Sequence, residues 1–212
     1  MKTKSNIAAA IAKGITTKHS GKMEGMQSFS TACSVNPICQ ARAKDPDSVC
    51  AHCYAMSLLA MRKNLDEKER RNLELMSSRI YNIEDMPIIN ACVFRLEAFG
   101  DLANVTQAAN YFTLARANRN TTFALWTKNP DIIAAMMEET GMKKPRNLII
   151  IYSSPKVNTV CDPEYVFIDK VFTVYDKAHA ADVKINCGAR HCLTCGRCYS
   201  KRTGRYVNEL LK

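Results

Sequence analysis

Short apolar runs alternate with amphipathic stretches along most of this chain. Polar residues, glycine or proline bound the runs, a pattern that predicts buried strands. We predict strands at residues 28–32, 91–99, 121–127, 147–152, 166–168 and 171–175. Between them, apolar residues recur every three to four positions and predict helices at 55–81, from 104 onward, and from 130 to the residue before Gly141. Asn129 and Pro130 are typical residues for the start of that last helix.

Continuous apolar strands that alternate with helices are typical of a parallel sheet. The 212 residues are too few for a complete eight-fold β/α barrel, which needs about 250. We therefore predict an α/β fold, either a partial parallel β/α barrel or an open parallel sheet, with a C-terminal cysteine-rich cluster-binding segment. The predicted organisation is a basic N-terminal segment at 1–27, a partial β/α barrel core at 28–183 and a cysteine-rich basic segment at 184–212.

Polar residues and cysteine stand where the predicted strands end. They are Cys33, Glu97, Gly100, Asp101, Lys128, Asn129, Ser153, Ser154, Asp176 and Lys177. In parallel β/α folds, ligands bind beyond the carboxyl ends of the strands, which share one edge of the sheet. Turns are polar in any case, so each residue alone is weak evidence. Together they predict a binding site at this edge.

Composition excludes several classes of protein. No apolar run approaches the roughly 20 residues needed to cross a bilayer, and the lysine-bearing N-terminus lacks the core of an export signal. We expect a cytoplasmic protein that does not bind membranes. Ten cysteines in such a chain favour metal binding or catalysis over disulfides.

A compact C-terminal window holds Cys187, Cys192, Cys195 and Cys198. Two residues separate each neighbouring pair in the sequence CLTCGRC. Iron–sulfur clusters use such runs, because each thiolate binds a different iron. A zinc tetrahedron usually comes from two separated pairs of cysteines. An iron–sulfur cluster is therefore favoured here, and zinc is the alternative.

A looser N-terminal window holds Cys33, Cys39, Cys50 and Cys53. We interpret His52, between the last two cysteines, as a spacer rather than a ligand. Cys33 ends the first predicted strand, whereas Cys39 lies in a proline-flanked loop where it is alternatively a bystander. The remaining cysteines, Cys92 and Cys161, lie in apolar stretches and are expected to be buried.

The net charge of +10 is concentrated at the two ends of the chain. Residues 184–212 carry seven basic side chains and one acid, and residues 1–28 carry five lysines and one acid. Basic segments attract polyanions, so nucleic acid or a nucleotide is a candidate substrate. Tyr199 and Tyr206 lie among the C-terminal arginines and are suited to stacking on bases. Alternatively, the charge balances anionic clusters or aids solubility.

Several short motifs together resemble known families. A strand that ends in cysteine, a loop with two further cysteines and parallel β/α units are similar to the radical S-adenosylmethionine superfamily. More closely, CYA at 53–55, RLEAFGDL at 95–102, WTKN at 126–129 and CGRCY at 195–199 resemble the phage gene-product-88 family. That family is itself regarded as similar to the superfamily. The resemblance extends over roughly residues 28 to 200.

The resemblance implies a catalytic [4Fe–4S] cluster held by three cysteines, with one iron open to S-adenosylmethionine. An electron from a donor then cleaves the sulfonium C–S bond and gives a 5′-deoxyadenosyl radical that abstracts hydrogen. Cys50 and Cys53 match the superfamily's spacing. Cys33 is the favoured third ligand and Cys39 the alternative. If all four cysteines bind, the cluster is closed and the catalytic interpretation fails.

The resemblance also implies which residues bind the cosubstrate. The superfamily's Gly-Gly-Glu motif, which binds the amino group of S-adenosylmethionine, has its nearest counterpart in Ala-Phe-Gly-Asp at 98–101. Gly100, Asp101 and Glu97 are therefore expected beside that group. Alternatively, the two carboxylates are salt-bridged to Arg95 or Arg116. Trp126, Lys128, Asn129 and Ser153 are expected to line the pocket. The C-terminal cysteines are expected to hold an auxiliary [4Fe–4S] cluster.

These observations predict an iron–sulfur enzyme of the radical S-adenosylmethionine type that acts on an unidentified substrate. Two other classes of protein share its residue pattern. One is a non-catalytic nucleic-acid-binding protein stabilised by zinc or a cluster. The other is an electron-transfer protein with two closed clusters.

Overall fold

The chain forms a six-stranded open sheet in which every neighbouring pair of strands is parallel. A computed structural model describes residues 2–211, with side chains described from residue 6 onward. The strands are β1 (Gln27–Phe29), β2 (Val93–Leu96), β3 (Thr122–Thr127), β4 (Leu148–Ser153), β5 (Lys170–Tyr175) and β6 (Tyr206–Leu210). They lie side by side in the order of the chain. The α/β class and the open parallel sheet are confirmed, and in the described part of the chain β6 does not pair with β1 to close a barrel.

Helices precede and connect the strands. They are α1 (Lys2–Gly14), α2 (Pro37–Ala43), α3 (Tyr54–Met61), α4 (Lys63–Ser78), α5 (Val105–Ala117), α6 (Pro130–Thr140) and α7 (Cys192–Cys195). The predicted helix at 55–81 is in fact two helices, because Arg62 leaves the helical conformation between α3 and α4. The start of α6 at Pro130 and its end at Gly141, whose φ is 66°, are confirmed.

The two faces of the sheet are covered differently. Parallel strands in sequential order with right-handed connections place their connecting helices on the same face. On that face Phe94, Phe123 and Ile150 pack in the main core with apolar residues of α1, α4, α5 and α6. The alternate residues of the strands point to the opposite face, which we call the inner face; Ala124 and Ile151 are examples.

The inner face is covered by the N-terminal and C-terminal parts of the chain. Tyr199, Cys192 and Cys198 pack there with Met26 and Trp126. The C-terminal part also supplies β6, which pairs with β5 and was not predicted. Only alternate residues of an edge strand need be apolar, so its pattern is faint.

Two further expectations were wrong. Residues 166–168 do not form a strand, although Phe167 and Ile168 are buried in the main core. Cys92 is exposed, because it lies in the turn just before β2, and Cys161 is half-buried. Lys212 and the side chains of Lys2 and Lys4 lie outside what is described. Among the helices of the described residues, none is long and apolar enough to cross a membrane.

Candidate metal centres at the edge and on the inner face of the sheet

The N-terminal cysteines lie in a loop that crosses the carboxyl ends of β1 to β4. Asn36 donates its side-chain amide to the Asp101 carbonyl at 2.9 Å. Arg42 donates to the Lys128 carbonyl at 2.9 Å, beyond β3. The Val49 amide donates to a carbonyl beyond β4. These contacts hold the loop over the predicted edge. We call Cys33, Cys39, Cys50 and Cys53 the edge site.

Two edge-site thiols contact each other. Cys33 is 1% exposed and packs in one apolar cluster with Cys39 and Cys53. A hydrogen bond from Cys33 lowers the pKa of Cys53 to about 6 despite burial, and the backbone amides of Met56 and Ala55 at the start of α3 lower it further. The same hydrogen bond raises the pKa of Cys33. These hydrogen bonds therefore favour the thiolate form of Cys53, the form that binds metals.

The other two thiols lie at the same end of the sheet. Cys39 is on α2, and its pKa is raised by burial and by the negative charges of Asp101 and Cys50. The positive charge of Lys128 acts in the opposite direction. The structure thus brings Cys39 as well as Cys33 to this edge, and it leaves both as candidates for the third ligand.

Hydrogen bonds to Asp101 connect the end of β2 to the end of β3. Its carboxylate is 4% exposed and accepts hydrogen bonds from the Thr127 hydroxyl at 2.6 Å and the Lys128 amide at 2.9 Å. The amide of Leu102 donates to it at 2.8 Å, and Arg42 Nη1 lies 3.6 Å away. The side chain lies at the predicted edge, with its oxygens already engaged by the protein.

Glu97 lies at the end of β2, but its carboxyl group is turned toward α5. It is 2% exposed and accepts hydrogen bonds from Thr31, from Gln107 at 2.8 Å and from the Tyr111 hydroxyl. Burial raises the pKa of Glu97 to about 8, against the effect of the hydrogen bonds from Tyr111 and Thr31. Its backbone φ of 56° is in the left-handed region. These hydrogen bonds fit a buried side chain that joins the end of β2 to α5 better than one that binds an ammonium group.

Gly100 lets the backbone after β2 pack closely against the backbone of Thr31. Its φ is 75°, and a Cβ there would lie 2.2 Å from the Thr31 carbonyl oxygen. The remaining predicted pocket residues lie nearby. Asn129 donates its side chain to the Leu102 carbonyl, and Ser153 is buried at the end of β4. Trp126 lies on the inner face instead.

The four C-terminal cysteines line a single small cavity that opens to solvent. We call Cys187, Cys192, Cys195 and Cys198 the face site, because they lie over the inner face of the sheet. The other lining residues are Lys22, Ala189, Arg197, Tyr199 and Val207. The structure therefore brings these four cysteines together, as the sequence predicted.

Local backbone geometry positions the face-site thiols. Cys192 and Cys195 begin and end the single turn of α7. Gly196, with a φ of 62°, then reverses the chain into a second turn that carries Cys198. Cys187 is anchored separately, because its amide donates to the Asn208 carbonyl of β6 at 3.0 Å.

Cations surround the face site. The Lys22 ammonium donates to the Cys187 carbonyl at 3.0 Å, lies 3.6 Å from the Cys187 sulfur and pairs with Glu209 at 2.7 Å. Lys170 is 1% exposed and donates to the carbonyls of residues 203 and 204. Burial lowers the pKa of Lys170, and the charge of Cys198 opposes this shift. Burial raises the pKa of Cys198 to about 12. Positive charge at these positions would stabilise thiolates that are otherwise disfavoured by burial.

Three buried donors beside the face site lack an acceptor among the described residues. They are Arg95 Nε, Arg197 Nε and the Tyr199 hydroxyl. Buried polar atoms are normally hydrogen-bonded, so an unsatisfied group needs a physical explanation. A thiolate-ligated metal group is anionic and rich in acceptor sulfur. The donor set of this site fits such a group.

The spacing of the thiols bears on the kind of metal. Within residues 2–211, no three His, Cys, Asp or Glu side chains are placed to hold one ion between them. A zinc–sulfur distance of 2.3 Å requires thiolates about 3.8 Å apart in a tetrahedron. In an iron–sulfur cluster each thiolate binds its own iron, so the thiolates stand farther apart. The four face-site thiols line one cavity without being placed around a single ion.

Sequence reasoning missed the cations of the face site. Lys22, Arg95 and Lys170 come from parts of the chain far from the C-terminal cysteines. Lys22 was counted only among the five lysines of residues 1–28, and Arg95 was named without a link to the cysteines. Arg95 belongs to the RLEAFGDL motif, which is the one sequence signal that includes it.

Comparison with known proteins identifies the family. The family model described as Gene product 88 matches residues 2–209, and the chain belongs to that family. The resemblance to it is therefore confirmed. No curated protein and no solved structure matches the chain.

Proposed function

We propose that this member of the Gene product 88 family is an iron–sulfur enzyme of the radical S-adenosylmethionine type. The observation that carries the proposal is the gathering of the edge-site cysteines over the carboxyl ends of parallel strands. Enzymes with parallel β/α folds place their reacting groups at that edge. The inner face beside it, which carries none of the helices that connect the strands, would correspond to the interior of a barrel.

The edge site would hold the catalytic cluster through Cys33, Cys50 and Cys53. A reduced cluster with one iron free of protein ligands supplies the electron that cleaves the sulfonium bond of S-adenosylmethionine. Hydrogen bonds from Cys33 and from the backbone amides of α3 favour the thiolate form of Cys53. The four face-site cysteines would hold an auxiliary cluster.

Within this proposal Glu97 and Asp101 are positioning residues. Both carboxyl groups are engaged by the protein, so neither offers a free acceptor to the ammonium group of the cosubstrate. Lys128 follows β3, and its charge acts on Cys39 and Cys53. An ammonium group there suits the carboxylate of S-adenosylmethionine or the phosphate of a nucleotide.

Charge supports a nucleotide or nucleic acid as the substrate. Lys184, Arg190 and Arg202 are exposed in the C-terminal part of the chain, and exposed cations attract polyanions. An enzyme of this type also needs an electron donor as a partner. A cytoplasmic location stays a prediction.

A two-cluster electron-transfer protein is the second candidate. Two observations favour it: Cys39 lies with the other edge-site thiols, and the carboxylates assigned to the cosubstrate are already engaged. Four bound thiolates would leave no iron open. This candidate requires no small-molecule site at the edge.

The experiment is a cleavage assay on protein reconstituted with iron and sulfide without oxygen. After reduction with dithionite, S-adenosylmethionine is added and 5′-deoxyadenosine is measured for the wild type, Cys33→Ser and Cys39→Ser. We expect product from the wild type and Cys39→Ser, and none from Cys33→Ser. Product from Cys33→Ser alone would make Cys39 the third ligand.

Metal analysis of the same samples separates the other candidates. Iron-loaded protein that gives no 5′-deoxyadenosine in any variant would favour the electron-transfer protein. Zinc in place of iron would favour the nucleic-acid-binding protein and overturn the proposal.

A further inference from the structure

Arg95 projects from β2 onto the inner face and is held between the sheet and the face site. Its guanidinium lies 4.0 Å from the centroid of the Trp126 ring. Nη1 lies 3.7 Å from the Met23 sulfur, and Nε is buried without a hydrogen-bond partner in the described part of the chain. An aromatic ring and a thioether are thus the main neighbours of this cation.

The positive charge of Arg95 has no carboxylate partner within residues 6–211. Among the described residues, no Asp or Glu oxygen lies within 4.0 Å of the Arg95 guanidinium. Burial lowers the pKa of Arg95, but the nearby Tyr199, Tyr54, Cys192 and Cys198 raise it above its ordinary value. Two of those four groups are face-site thiols.

Arg79 shows what is unusual about this arrangement. Its guanidinium also lies over an aromatic ring, 5.1 Å from the centroid of Tyr81. Arg79 is exposed, however, so water solvates its charge. The Arg95 Nε has neither solvent nor an acceptor, and a charge removed from water is costly unless it is paired.

We propose that Arg95 supplies the counter-charge for an anionic metal–thiolate group in the face site. Trp126 stacks on the guanidinium, and the Trp126 ring in turn lies 5.8 Å from the Tyr199 ring, which lines the face-site cavity. This stack fixes the cation behind the cavity. The inference rests on the proposed function insofar as that function places a cluster in the face site.

The proposal has a consequence for electron transfer. Adding an electron makes the metal–thiolate group more negative, so a fixed positive charge stabilises the reduced form more than the oxidised form. Arg95 would therefore raise the reduction potential of the face-site cluster. It would also slow the loss of iron from that cluster. Because the guanidinium is permanently charged, this effect is present throughout the neutral pH range.

The test compares Arg95→Met, Arg95→Lys and the matched control Arg79→Met. All three are made in a Cys53→Ala background, so that the face-site cluster alone is observed. Midpoint potential is measured by dye-mediated titration, and iron loss is followed with a chelator. We expect Arg95→Met to lower the potential and to release iron several-fold faster. Arg95→Lys should lie between Arg95→Met and the parent, and Arg79→Met should match the parent.

Thermal unfolding of metal-free protein distinguishes a charge effect from a packing effect. We expect Arg95→Met to unfold at the same or a higher temperature than the parent without metal, because an unpaired cation is removed. It should unfold at a lower temperature than the parent when iron is bound. Equal losses in both forms would show a merely structural role and overturn the inference.

Failure of the inference and failure of the proposed function give different results. Iron in the face site of the parent, with an unchanged potential in Arg95→Met, would refute the inference alone. A Cys53→Ala parent that binds no iron would refute the auxiliary cluster, and the inference with it.

Discussion

The edge site and the face site each gather four cysteines, but the fold assembles them in different ways. The edge-site cysteines are spread over residues 33–53 and depend on loop contacts to the ends of several strands. The face-site cysteines lie within residues 187–198, where a helical turn, a left-handed glycine and a second turn position three of them. The first site is a product of the tertiary fold, and the second is largely a product of local structure.

The charges around the two sites also differ. At the edge site burial and the Asp101 carboxylate raise the pKa of Cys39, and the charge of Lys128 opposes this shift. Cations surround the face site, among them Lys22, Arg95 and Lys170. An acidic surrounding resists additional negative charge, whereas a cationic one compensates for it. The face site, with three cations around it, is therefore the better suited of the two to a group ligated by four thiolates.

The largest expected effect is the selective loss of one metal centre. Cys53→Ala should abolish iron binding at the edge site and leave the face site loaded, because the two sites share no ligand. Cys198→Ala should do the reverse. Iron and sulfide per chain, measured after anaerobic reconstitution, check both variants. Unchanged iron content in Cys53→Ala would show that the ligand assignment is wrong.

Gly100→Ala should disturb the edge site without touching a cysteine. The new Cβ would lie 2.2 Å from the Thr31 carbonyl oxygen, at a φ of 75°. Left-handed strain and overpacking together predict a loss of about 3 kcal/mol in the free energy of unfolding. Urea unfolding of metal-free protein measures the loss. The control is Gly141→Ala, where φ is 66° but no atom lies within 4 Å, so only the strain should be felt.

The buried acids predict a pH dependence of stability. Burial raises the pKa of Glu69 to about 8, and both of its oxygens lack hydrogen-bond partners among the described residues. The folded state therefore keeps a proton that the unfolded state loses above its ordinary pKa of 4.5. Stability should fall as pH rises from 5 to 8, by at most about 1.4 kcal/mol per pH unit for this group.

Glu69→Gln removes this titration and should make the dependence less steep; the remainder is expected from Glu97, whose pKa burial also raises to about 8. Urea unfolding of metal-free protein between these pH values measures it. The exposed Glu67, on the same helix, gives the control Glu67→Gln, which should follow the wild type. Identical pH profiles for Glu69→Gln and the wild type would contradict the assigned role of burial.

The smallest effect is expected in the backbone of the face site. Gly196→Ala places a side chain at a φ of 62°, with no atom within 4 Å of the new Cβ. Strain alone predicts a loss of about 1 kcal/mol and faster release of face-site iron to a chelator. Gly188→Ala, which has open space and no positive φ, should behave as the wild type. Equal release rates for both variants would contradict the role of the left-handed turn.

The fold could be predicted where burial on both faces leaves a continuous apolar run. β3 and β4 were predicted to within one residue at each end for this reason. β6 was missed because only Val207 within it is buried. The break at Arg62 has no comparable signal, since apolar and charged residues continue across it in the helical pattern.

The cysteine groups could be predicted from spacing, but their surroundings could not. Cysteine identity and order are visible in the sequence, and local turns bring the face-site thiols together. The partners that decide what each carboxyl group does come from elsewhere: Tyr111 on α5 for Glu97, and Thr127 on β3 for Asp101. Such long-range pairing depends on the packed structure.

Electron paramagnetic resonance of the reduced protein, before and after S-adenosylmethionine is added, tests the central claim most directly. The claim is that the edge site holds a cluster with an open iron and the face site holds a closed one. We predict two signals, of which only the one absent from Cys53→Ala shifts on addition. Two signals that both stay unchanged, or protein that binds zinc and no iron, would contradict the account.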